Sequence, residues 1–284
     1  MFNHQSINQS MNKKFNAAPL PFQGQKRRFT KQFKEALSAF PEDAVYVDLF
    51  GGSGLLAHIV KQKYPKAKVI WNDYDNFAKR LKAIPQTNAL LTKLRPILKD
   101  LPRKERIPET TRKKVLEAIK LHETEYDYVD YITLSASLLF SAKYAVSYEQ
   151  FAKETFYNRI KISDYECTGY LEDVERLSCD YKKLFEKYKS DRTVFLVDPP
   201  YLSTDTSTYG SNNYWRLRDY LDVLNVLDES RYFYFTSNKS QIVELCQWIE
   251  TRTSFGNPFQ GSTITTTETS LNRSASYTDI MMFK

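Results

Sequence analysis

The chain has 284 residues, 42% hydrophobic and 26% charged, ordinary globular proportions that exclude wholesale disorder and a collagen-like repeat. Its 41 Lys+Arg against 34 Asp+Glu leave a net charge of +7, and no apolar run approaches the ~20 residues a membrane helix needs. The polar start, MFNHQSINQSMNKKFN, lacks a signal-peptide core. The three cysteines (Cys167, Cys179, Cys246) and three histidines (His4, His58, His122) form no zinc-ligand spacing. These features predict a cytoplasmic protein with no metal and no membrane segment, whose chemistry runs on carboxylates, backbone groups and a bound cofactor.

Residues 1–12 are rich in Asn, Gln and Ser and read as a disordered terminus. AVYVDLF (44–50) is β-rich and runs into Gly51-Gly52-Ser53-Gly54, then a helical LLAHIVKQK, then a second strand, KVIWND, ending at Asp73. Strand, glycine turn, helix and strand make one βαβ unit. From residue 77 to about 160 the chain turns basic, proline-punctuated and Tyr-rich, with a buried helix expected over 129–140. Leu171–Lys189 reads as a charged amphipathic helix. TVFLV (193–197) is a short strand ending at Asp198-Pro199-Pro200-Tyr201, followed by a polar loop, LSTDTSTYGSNN. A helix (216–228), a strand (231–236), a helix (239–250) and a terminal β pair (262–268, 276–283) complete the chain. The alternation predicts an α/β fold with helices on both faces of a sheet and a helical insertion.

Charge is unevenly spread. Residues 76–120 hold 13 basic and four acidic side chains, a net of +9, which leaves −2 elsewhere. Lys93, Arg95, Arg103, Lys104, Arg106, Arg112, Lys113 and Lys114 are the candidates there for a polyanion surface. A second basic cluster spans Lys26, Arg27, Arg28, Lys31 and Lys34.

Two turns carry chemistry. VDLFGGSG lets the backbone approach a ligand closely at the carboxyl end of a strand, and Asp73 ends the next strand where an acid can accept from ribose hydroxyls. The full GxGxxG and the GxxxxGK[ST] phosphate cradle are both absent. Asp-Pro-Pro-Tyr is the sharper signal. Two prolines stiffen the turn and donate no N–H, so it presents carbonyl acceptors and the Asp198 carboxylate. Those acceptors suit both hydrogens of a planar amino group, and Tyr201 offers a flat face for a base.

FxGxG followed by DPPY resembles the S-adenosylmethionine-dependent amino-methyltransferases of DNA, in the order of the Dam-type (alpha-subgroup) adenine-N6 enzymes. Pro21-Phe22-Gln23-Gly24-Gln25-Lys26 resembles the family's N-terminal cofactor motif, Trp71–Asp75 its acidic strand end, Ser178-Cys179-Asp180-Tyr181 its adenine-contacting pair and Phe235–Asn238 its late Ser-Asn strand end. SLNRSASYTDIMMFK resembles its closing hairpin. The Asn/Gly-rich hairpin of Dam-type recognition domains is missing from 77–160, so no target sequence carries over.

The resemblance implies a Rossmann-like methyltransferase domain over 13–76 and 160–284, with 77–159 inserted as the target-recognition, DNA-binding domain. It implies S-adenosylmethionine as cofactor, held by Phe22, Gly24, Lys26, Asp48, Phe50, Gly52, Gly54, Asp73, Asp180, Tyr181 and Asp198. It implies catalysis by Asp198, Pro199, Pro200 and Tyr201 on an adenine flipped out of double-stranded DNA. The polar loop 202–213, with Tyr209 and Tyr214 at its end, reads either as a cover that closes over this site or as a mobile surface loop. A monomer, with a possible cognate restriction enzyme, is the family-like expectation. The competing readings are cytosine-N4 methylation, which uses the same amino-group geometry, methylation of RNA or a protein amide, and a non-catalytic DNA binder on the same fold. Protein-amide enzymes carry Asn at the Asp198 position, which argues against that class.

Overall fold

The computed structural model describes residues 15–140, 143–201, 215–228, 230–252, 256–270 and 276–284. The expected disordered terminus, and the polar loop with Tyr209 and Tyr214, lie outside the described residues. In chain order the main elements are α1 (Thr30–Ala36), β1 (Val45–Asp48), α2 (Leu55–Lys63), β2 (Lys68–Asn72), α3 (Phe77–Lys82), α4 (Ile84–Leu98), α5 (Glu109–Tyr126), α6 (Tyr131–Leu138) and α7 (Tyr148–Ala152). Then follow β3 (Glu175–Leu177), α8 (Tyr181–Tyr188), β4 (Thr193–Val197), α9 (Leu217–Leu227), β5 (Arg231–Ser237), α10 (Ile242–Arg252), β6 (Thr263–Ser270) and β7 (Ser276–Phe283).

The strands form a seven-stranded sheet in the order β3-β2-β1-β4-β5-β7-β6. The first five are mutually parallel, and β7 and β6 add as an antiparallel hairpin. Side chains alternate across such a sheet, and the core follows that alternation. Tyr46, Val69, Val194, Leu196, Phe233 and Phe235 face one apolar cluster with α1 and α2. Val47, Ile70, Phe195, Val197, Tyr232 and Tyr234 face the other with α8, α9 and α10. Both faces are therefore covered, which explains why β4 is buried at all five positions and reads as a continuous apolar run. Each fully buried aromatic, such as Phe33 on α1 against Phe233, contributes about 1.5–3 kcal/mol by leaving water.

Residues between β2 and β3 build a third apolar cluster of their own, from Leu90, Leu91, Leu94 and Leu98 on α4 through Val115 and Ile119 on α5 to Leu138, Phe151 and Ile160. A buried ion pair joins α3 to the start of α6 and ties both to the N-terminal segment. The Arg80 guanidinium donates from Nε to both Asp130 oxygens at 3.1 Å and from Nη2 to the Pro21 carbonyl at 2.8 Å. That last bond anchors the segment leading into Phe22–Lys26.

The expected helix over 171–189 is not one element. Leu171 and Asp173 adopt positive φ angles of 60° and 57°, which a helix cannot continue through. Residues 175–177 then pair with β2 as the edge strand β3, and only 181–188 is helical. The charged composition that suggested a helix is equally suited to a solvent-facing sheet edge. Asp180 starts α8 as its N-cap, its side chain accepting from the Lys182 N–H at 2.7 Å.

Candidate active site

The strand order reverses at β1, whose neighbours are β2 on one side and β4 on the other. A crevice opens outside the carboxyl ends of strands at such a switch point. Here it is a cavity of about 500 Å³, lined by the glycine turn after β1 and by Asp198, Pro199, Pro200 and Tyr201 after β4. Gly51 is required by packing: a Cβ there would lie 2.1 Å from the Trp71 ring and 2.8 Å from the Asn72 carbonyl. Gly52, at φ +45°, would drive a Cβ to 2.9 Å from Phe22. The two glycines thus let β2 and the N-terminal segment close around the turn.

One end of the cavity is aromatic. Phe50 and Tyr181 stand 4.8 Å apart, and the Trp215 ring lies nearly parallel to Tyr181 at 6.1 Å. The Tyr181 hydroxyl is buried with no hydrogen-bond partner among the described residues. Asn72, Tyr74, Asp75 and Asp180 also line the cavity. Flat apolar faces beside carboxylates and a close-approach turn fit an adenosyl group with its ribose, and the volume falls within the ~300–1,000 Å³ of small-ligand sites.

At the centre, Lys26 extends from the segment before α1 to Asp198. Its Nζ lies 2.6 Å from Asp198 Oδ2 and donates to the Gly24 carbonyl at 2.8 Å. Lys26 is only 8% exposed and Asp198 18%, so solvent screens this pair weakly. The same Nζ sits 5.2 Å from the Tyr201 ring centroid. Burial pushes the Asp198 carboxyl above its ordinary range, Lys26 opposes that rise, and the Asp279 charge adds to it. Asp48, beneath the glycine turn, is pushed up to about 8 by burial and by repulsion from Asp198. Beyond β4 the cavity continues to Ser237, Lys239 and Tyr277, from the end of β5 and from β7.

Residues 22–246 match the family model of the D12 class N6 adenine-specific DNA methyltransferases. The chain belongs to that family. It is also 34% identical over 280 residues to a Haemophilus influenzae protein described as a "putative methyltransferase", an alignment covering 96% of this chain and 93% of that one. The protein is therefore a DNA methyltransferase of the N6-adenine class, which favours adenine over the cytosine-N4 reading.

In this methyltransferase Phe22, Gly24, Lys26, Phe50, Gly52, Asp180, Tyr181 and Asp198–Tyr201 all line the cavity. Asp48, Gly54 and Asp73 do not. Gly54 starts α2 in the left-handed conformation. Asp73 is fully buried and turned away: it accepts from the Phe77 and Ala78 N–H groups and pairs with Arg176 Nε at 2.7 Å. Asp75, two residues on, is the acid of this strand end that reaches the cavity. Asp75, Trp215, Asp219, Lys239 and Tyr277 were not singled out as site residues. Asp75 stood inside the quoted Trp71–Asp75 segment and Tyr277 inside the quoted closing hairpin; Trp215, Asp219 and Lys239 stood in no quoted segment.

The basic candidates between β2 and β3 divide. Arg112 donates to the Ala152 and Glu154 carbonyls, pairs with Glu109 and stacks on Phe156, so it serves packing. Arg95 pairs with Asp164, Lys93 with Glu125, and Arg103 donates to the Asn158 side chain. Lys104, at φ +66°, donates its backbone N–H to Asn158, and Arg106 bridges to Tyr157. Lys113 and Lys114 are exposed on α5 with no ion pair among the described residues. Among the described residues no group of three or more His, Cys, Asp or Glu is placed to hold a metal, and no helix is long and apolar enough to cross a membrane.

Proposed function

We propose that this enzyme takes S-adenosylmethionine at the aromatic end of the cavity and a flipped-out adenine of double-stranded DNA at the β5–β7 end, and methylates N6. The Lys26–Asp198 pair at the junction of the two ends carries the reading. When bound, the cofactor supplies a methyl group on a sulfonium that is its own leaving group. Phe50, Tyr181 and Trp215 form the seat for its adenine, and the cavity-lining carboxylates Asp75 and Asp180 are acceptors for its ribose.

The adenine amino nitrogen is a weak nucleophile because its lone pair is delocalised into the ring. Asp198 Oδ1 and the Pro199 carbonyl accept its two hydrogens and set its direction. Lys26 occupies Oδ2 and keeps the carboxylate ionised against the burial that opposes it. As positive charge builds on nitrogen, the ionised Asp198 stabilises it where water is excluded. Tyr201 stacks on the base, and its ring is in turn held beside the Lys26 ammonium. A paired and stacked adenine cannot reach this depth, so the base leaves the duplex. Residues 77–159 act as the target-recognition domain, with Lys113 and Lys114 as phosphate contacts.

Titration calorimetry with S-adenosylmethionine, and the fluorescence of 2-aminopurine placed at the target position of duplex DNA, test the two halves. Saturable cofactor binding and a fluorescence rise on adding enzyme are expected. Failure of the cofactor to bind would remove the donor assignment, and unchanged fluorescence in a sequence whose adenine duplex the enzyme methylates would remove base flipping.

A further inference from the structure

Three features meet on the far side of Asp198 from the glycine turn. Lys239 follows β5, is exposed, lines the cavity mouth and makes no ion pair among the described residues. Its ammonium lies 4.6 Å from the ring centroid of Tyr277, which also lines the mouth. The turn that carries it is fixed. Asn238 donates its backbone N–H to the Thr278 carbonyl, and its side-chain oxygen accepts from the Thr278 N–H. The Lys239 N–H is in turn held by the Ser237 hydroxyl.

Arg28 flanks the same hairpin from its other edge. It is exposed, lies two residues after Lys26, and its Nη1 donates to the Glu268 carbonyl at 3.4 Å. Glu268 pairs across the hairpin with Thr278, the residue bonded to Asn238. Two cations thus lie along the β6–β7 hairpin, one over the Tyr277 ring of β7 and one at the Glu268 carbonyl of β6. Glu268 is exposed, and the Asp279 charge is felt inward at Asp198.

We propose that Lys239 and Arg28 form a second phosphate-binding surface, which grips the strand carrying the target adenine where it bends into the cavity. The basic stretch between β2 and β3 leaves the sheet on the opposite side of β4, so the two surfaces hold the duplex from both sides of the crevice. A nucleotide drawn into the cavity brings its flanking phosphates to the mouth, where a guanidinium and an ammonium are the suited partners. This inference rests on DNA being the substrate of the site.

The test is the salt dependence of duplex binding by the full chain, read by fluorescence anisotropy, for the parent, Lys239→Gln, Arg28→Gln and the double variant. Each phosphate contact removed should flatten the slope of log affinity against log salt by about 0.9, and the double variant by about twice that. An unchanged melting temperature confirms that the variants fold. A double variant with the parent's slope overturns the proposal, and so does weaker binding at an unchanged slope, since the lost contact is then not to phosphate. If the slope flattens yet the parent forms no methyladenine, the phosphate surface stands and the methylation reading falls.

Discussion

Replacing Lys26 by Met should move the acid limb of the pH–rate profile upward. Asp198 must be ionised to accept an amino hydrogen, and burial already pushes its carboxyl up. The Lys26 ammonium at 2.6 Å works against that push. At this separation an effective dielectric of about 20 gives roughly 6 kcal/mol of attraction, an upper bound, since relaxation absorbs part of it. Carboxylates beside a single cation are held down by about 1–3 pK units in practice, at about 1.4 kcal/mol per unit. Without the cation the carboxyl rises by that amount. The acid limb of kcat/KM, which reports the free enzyme, should therefore shift up by about 1–3 pH units, a loss of roughly 10- to 1,000-fold below both limbs. The assay is transfer of labelled methyl groups to duplex DNA across the pH range, with Lys26→Arg as the charge-preserving control. Lys26→Arg should return the limb most of the way. A Lys26→Met enzyme slowed equally at every pH, with its limb unmoved, would refute the electrostatic role.

Other consequences follow from the same geometry. Gly51→Ala forces a Cβ into Trp71 and the Asn72 carbonyl; overpacking of this kind costs about 1–3 kcal/mol, to be read from urea unfolding, and an unchanged midpoint would contradict it. Tyr181→Ala removes the central ring of the aromatic end and should weaken cofactor binding by about 1–3 kcal/mol, the usual worth of base–aromatic stacking. Calorimetry showing equal affinity would exclude that seat. Asp48 keeps its proton in the folded state up to about pH 8, whereas the unfolded chain releases it in the ordinary carboxylate range. Stability therefore falls as pH rises through that window. Asp48→Asn stays neutral throughout, so its stability relative to the parent should gain about 1.4 kcal/mol per pH unit until pH 8 and then level off. Parallel stability curves would show that Asp48 is ionised in the fold.

The βαβ unit was legible because its signals are local: a β-rich run, a glycine turn that only small residues fit, and a helical apolar stripe. TVFLV ending at Asp198 was legible for the same reason, and both turns border the cavity. The 171–189 stretch misled because charged residues suit an exposed helix and a sheet edge alike, and the left-handed Leu171 and Asp173 carry no glycine to announce them. Asp73 looked like a ligand by position, but its carboxylate is spent on the first turn of α3 and on Arg176. The contacts that assemble the site are long-range. Lys26, before α1, meets Asp198 after β4, and Trp215, Lys239 and Tyr277 arrive from just before α9, just after β5 and from β7. Strand order decides that convergence, and strand order is not written in any one segment.

The most direct test of the account is nucleoside mass spectrometry on DNA from methylation-deficient cells expressing the parent chain or Asp198→Ala. N6-methyladenine with the parent, and none with Asp198→Ala, is the predicted result. Methyladenine formed equally by the Asp198→Ala chain would contradict the central role given to that carboxylate.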